Sequence, residues 1–155
     1  GIIGFGKACE LAKEQIKENK LKQLRKIRDR LWQMIKHFIP NVEVFGCTKN
    51  CLPNTLNCGF EGADGEILLI ALDMEGISVS TGSACSSGMG LPSPVLSAMR
   101  LPPKKINSSL RFSLGWGNTF DDMAQVAGIL AKAVQHYRER QTTAPALVPQ
   151  KTDMR

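Results

Sequence analysis

The chain has 155 residues, 43% of them hydrophobic and 22% charged, with a net charge of +6; this is the make-up of one soluble domain with a real core. No apolar run approaches the ~20 residues a membrane helix needs, and the short apolar start, residues 1 to 6, lacks the basic flank of a signal peptide. The charge is local. Residues 1 to 40 hold ten Lys and Arg against four acids, densest at Lys20, Lys22, Arg25, Lys26, Arg28 and Arg30. With no aromatic residues alternating among them, these read as a solvated helix face rather than a nucleic-acid surface. An odd count of cysteines (Cys9, Cys47, Cys51, Cys58 and Cys85) without an export signal points to a reducing compartment, the cytoplasm or an organelle matrix.

Residues 1 to 39 form a helical lead-in. Leu21, Leu24, Ile27 or Arg28, Leu31, Ile35 and Phe38 recur at three- and four-residue spacing, Ala8, Ala12 and Ile16 extend a weaker stripe upstream, and a break is expected near Asn19. Pro40 ends the pattern. The chain opens without Met inside this helix, as a segment of a longer polypeptide would. Val42 to Phe45 and Thr55 to Phe60 read as strands, joined by a loop over 46 to 53. Cys9 and Cys58 fall in apolar periodic segments. Cys47-x3-Cys51 with Cys58 offers three thiols but no nearby histidine, so the three read as buried or incidental thiols rather than a zinc site. Asp64 caps a helix from about 65 to 75 with Gly76 as its stop. Ile77 to Ser80 reads as a short strand, Ser93 to Arg100 as a short helix, and Pro102-Pro103 as a turn. Leu110 to Leu114 is a strand. Thr119 with Asp121 and Asp122 opens the last helix. Residues 141 to 155 have no period and read as a disordered tail. The order predicts an α+β layer, a small, mostly antiparallel sheet with helices on one face.

Two motifs carry chemistry. Ser80-Thr81-Gly82-Ser83-Ala84-Cys85-Ser86-Ser87-Gly88 surrounds one thiol with small and hydroxylated residues, the composition of an exposed loop. A thiol there, as thiolate, is a nucleophile able to reach into a site and carry a group away. In Ser108-Ser109-Leu110-Arg111-Phe112-Ser113-Leu114-Gly115, strand alternation puts Arg111 opposite the apolar Leu110 and Phe112. Its planar guanidinium matches a carboxylate.

Together with Leu91-Pro92-Ser93-Pro94-Val95-Leu96, Leu52-Pro53-Asn54-Thr55-Leu56-Asn57 and Glu66-Ile67-Leu68-Leu69-Ile70-Ala71-Leu72-Asp73, these stretches resemble cysteine desulfurases of the NifS/IscS type in the class V aminotransferase family. The resemblance spans residues 1 to 140. It implies the small C-terminal domain of a fold-type I pyridoxal phosphate enzyme, with 80 to 92 as its active-site loop. By position, Cys85 would be the nucleophile that takes sulfur from L-cysteine as a persulfide and leaves L-alanine. Arg111 would hold the substrate carboxylate, and Ser83, Ala84 and Ser86 would give the loop its reach. The implied partners are an Fe–S scaffold or another sulfur acceptor, tRNA thiolation included, and a second copy in a homodimer, with no membrane or nucleic acid. No Ser/Thr-x-His-Lys motif is present, so pyridoxal phosphate would be bound by the family's large domain, which this segment does not include. Pro94 and Leu91 depart from the family's His or Tyr and Glu. A fragment or binding module without turnover is the alternative.

Overall fold

A computed structural model describes residues 1–17, 19–47, 50–81 and 92–143. Helices α1 (Ile2–Lys17) and α2 (Lys20–Phe38) are separated at Asn19, whose φ of 57° breaks the helix. On α2 the stripe Leu24, Ile27, Leu31 and Ile35 is buried, while Lys22, Lys26 and Arg30 face solvent. Arg28 departs from the expected solvated basic face. It follows Leu24 by four residues and precedes Leu31 by three, so it falls on the buried stripe and is only 3% exposed. Among the described residues helix α1 packs chiefly against α2 and leaves Ile2, Ile3 and Phe5 largely exposed. Cys9, on the same helix, is exposed too, against the expectation from its apolar neighbours.

Strands β1 (Val42–Val44), β2 (Thr55–Phe60) and β3 (Ser109–Ser113) form one antiparallel sheet in that order, with Val44 opposite Cys58 and Asn57 opposite Arg111. Alternation sends Leu56, Cys58, Phe60, Leu110, Phe112 and Leu114 to one face, where they join α2, α3 (Gly65–Asp73) and α6 (Phe120–Thr143) in the main core. On the other face Phe45 lies across Gly59, where a Cβ would come within 2.3 Å of its ring. Leu96 of α4 (Pro94–Ala98) and Ile106 of α5 (Pro103–Asn107) complete that smaller cluster. The fold is the α+β layer expected, with its three long packed helices on one face of the sheet.

Three local readings change. Ile77 to Val79 pair with no strand; only Ser80 does, in a single antiparallel bridge to Arg111, while Ile77 and Val79 lean on the core. Pro102-Pro103 starts a helix rather than ending at a turn, because a proline at the first helical position gives up an amide that would be unsatisfied anyway. Helix α6 runs to Thr143, so 141 to 143 are helical; 144–155, and 82–91 of the loop, lie outside the described residues. Among the described residues no helix is long and apolar enough to cross a membrane.

Candidate active site

The polar face of the sheet is built by register. Arg111 on β3 is half-buried, on the face away from Leu110 and Phe112. Its strand neighbours are Asn57 on one side and Ser80 on the other. The Ser80 amide donates to the Arg111 carbonyl at 3.1 Å, and the Arg111 amide donates back at 2.6 Å. Among the described residues the Arg111 guanidinium makes no hydrogen bond or ion pair. A fork-shaped cation held on a rigid strand with its donors unspent suits an incoming carboxylate. Asn57 has a buried side-chain oxygen with no hydrogen-bond partner, so two polar groups with unspent hydrogen bonds stand at paired positions.

Cys85, Ser83, Ala84 and Ser86 lie outside the described residues, so the structure brings only Arg111 of the predicted site to the page. The start of their loop is nevertheless fixed, because Ser80 is bridged to Arg111. Pro94 opens α4, and Ser93 caps that helix by accepting from the Leu96 amide at 3.4 Å.

The other thiols separate by environment. Cys58 is fully enclosed on the core face, where burial pushes its thiol well above the ordinary cysteine range. Cys47 and Cys51 line a cavity of about 280 Å³ between α2 and β2, with Arg28, Asp29, Thr55 and Asn57, whereas Cys58 is not among its lining residues. The three thiols therefore do not converge, and among the described residues no group of three or more His, Cys, Asp or Glu is arranged to hold a metal. Sequence reasoning missed Arg28 and Asn57. The first was legible as a charge on an apolar stripe, the second as a polar strand residue in phase with the face of Arg111.

Pyridoxal phosphate does not fit the described residues. Every lysine whose side chain is described is exposed, and so are His37 and His136. A Schiff-base lysine needs shielding to stay neutral and nucleophilic.

A model of the family described as aminotransferase class V matches residues 1–126. The chain belongs to that family. Among class-V relatives it is 45% identical over 141 residues to cysteine desulfurase IscS of Clostridium botulinum, covering 90% of this chain and 35% of that protein. It is 42% identical over 139 residues to a cysteine desulfurase of Gluconacetobacter diazotrophicus, covering 90% of this chain and 34% of the relative. A solved NifS-like protein superposes with a TM-score of 0.74 at 25% identity, over 88% of this chain and 33% of that one. The NifS-like protein of Rickettsia africae gives 0.64 at 28% identity, over the same shares. The chain thus spans about a third of the length of the class-V proteins it matches.

Proposed function

We propose that this chain is the cysteine-bearing part of a cysteine desulfurase, with Cys85 as the sulfur-accepting nucleophile and Arg111 as the carboxylate anchor. What supports the reading most is the bridge between Arg111 and Ser80. It ties the root of the cysteine loop to the strand that carries the anchor. Cys85 is five residues beyond Ser80, and five residues span at most about 18 Å of extended chain. The chain path from the strand partner of Arg111 to the thiol is therefore short.

On this reading the Arg111 guanidinium grips the carboxylate of L-cysteine, and the Cys85 thiolate attacks the substrate sulfur. The carbon–sulfur bond breaks, its electron pair passes to the substrate Cβ, and a proton there completes L-alanine while the sulfur stays on Cys85 as a persulfide. The electron sink this cleavage needs is pyridoxal phosphate in the family, and it belongs outside the described residues. The persulfide would then pass to an Fe–S scaffold or another acceptor, in a homodimer and in a reducing compartment. We assign turnover to the longer polypeptide and none to the 155-residue chain alone, whose described lysines are all exposed.

The test is single-turnover reaction of the natural full-length polypeptide with L-cysteine. One added sulfur should appear on the Cys85 peptide with an equal amount of alanine, and Cys85→Ser should remove it. Normal sulfur release from Cys85→Ser would overturn the assignment of the nucleophile.

A further inference from the structure

A second thiol has the setting of a reactive group. Arg28 is 3% exposed on the buried stripe of α2, and a guanidinium so buried needs partners on every side. Asp29 accepts from its Nε at 3.0 Å and from its Nη2 at 2.5 Å. The remaining arm, Nη1, donates to the Cys51 Sγ at 3.0 Å and to the Leu52 carbonyl at 3.1 Å. Burial works against the Arg28 charge, but hydrogen bonds to Asp29 and Cys51 and the Asp29 carboxylate hold its pKa above the ordinary arginine value. The Asp29 side chain is 49% exposed, so water shares its charge.

The sulfur is also reachable. Cys51 is half-buried and lines the 280 Å³ cavity with Cys47 and Asn57. That volume holds several waters or one small sulfur compound, not a folded partner. Asn57, whose side-chain oxygen is buried without a hydrogen-bond partner, is part of the same cavity wall. Asn57 is in turn the strand partner of Arg111, and Arg111 of Ser80, so the Asn57 wall of the cavity stands about 10 Å, two strand spacings, from the root of the Cys85 loop.

We propose that Cys51 is a second sulfur-accepting thiol, held ready by Arg28 and supplied by a persulfide. The Cys51 thiolate attacks the outer sulfur of a donor R–S–SH. The donor S–S bond breaks, R–S⁻ leaves, and Cys51–S–SH forms; charge and hydrogen balance without an oxidant. Naming the Cys85 persulfide as the donor rests on the desulfurase reading; the reactivity of Cys51 does not.

The chain is exposed to glutathione persulfide, then alkylated and mapped. Cys51 should gain sulfur at least about tenfold faster than Cys9, an exposed thiol on α1, and the excess should vanish in denaturant. Arg28→Gln should slow Cys51 at least about fivefold and leave Cys9 unchanged. The proposal falls if Cys51 is no faster than Cys9, if its advantage survives denaturation, or if a folded Arg28→Gln keeps it. Should Arg28→Gln fail to fold, the comparison of native with denatured wild-type chain decides. Because the donor is added from outside, failure here leaves the desulfurase reading standing, and failure of Cys85 to collect sulfur from L-cysteine leaves this one standing.

Discussion

Cys58 couples packing to pH. Its thiol is fully buried and pushed up by desolvation, so the folded chain holds the proton after the unfolded chain has released it. Above about pH 9 the unfolded state binds fewer protons, and stability should fall by about 1.4 kcal/mol per pH unit from this group alone. Below that range the contribution is fully present. Urea melts at stepped alkaline pH check it, and Cys58→Ala should flatten the slope relative to wild type. In the full-length polypeptide Arg111→Lys replaces a fork with a point charge. On the proposed desulfurase reading it should raise the KM for cysteine by the equivalent of about 1–3 kcal/mol; an unchanged KM would mean that another group holds the carboxylate. The face of Arg111 was readable from its apolar neighbours Leu110 and Phe112, because strand period fixes it. The burial of Arg28 was half-readable. Its position on the stripe was visible, but its acceptors come from the 51–52 loop, which no helical period reports.

Two glycines in helices respond oppositely to the same methyl. Gly65 opens α3 against the neighbouring chain, and a Cβ there would stand 2.6 Å from the Ser109 carbonyl oxygen and 2.9 Å from that of Asn107. Both are backbone atoms, so Gly65→Ala should cost about 1–3 kcal/mol. Gly128 sits inside α6 with nothing within 4 Å of its Cβ position. Gly128→Ala should add about 0.5–1 kcal/mol by helix propensity and lower unfolded-state entropy. Thermal melts of the two variants check the pair. Capped helices were the readable elements. Asp64 accepts from the Glu66 and Ile67 amides at 2.9 and 3.2 Å. Thr119 and Asp122 cap each other's amides at 3.2 and 2.7 Å. Helix α5 was less readable because a proline pair signals both a turn and a helix start. The 77–80 segment has strand composition but follows β3 at only one residue, a matter of tertiary geometry rather than propensity.

Across the molecule, stability is uneven. Helix α1 has 16 residues and rests chiefly on α2, with Ile2 91% and Phe5 73% exposed. An isolated helix of that length is marginal in water. In this chain its amides should exchange hydrogen far faster than those of α2, β2 and β3; equal protection by mass spectrometry would contradict this. The layer architecture was legible from the order of periodic segments, but the partnership of the helices was not. The main partner of α2 is α6, and nothing local to either says so. That partnership bears on biogenesis. The stripe Leu24, Ile27, Leu31 and Ile35 is made before α6, the element that covers most of it and that begins only at Phe120. At ~5–20 residues per second the wait from Phe38 to Phe120 is roughly 4–16 s, far longer than hydrophobic collapse takes. For those seconds the nascent chain carries an aliphatic seam without its main cover, and a holding chaperone has a defined sequence to grip until the last helix is made.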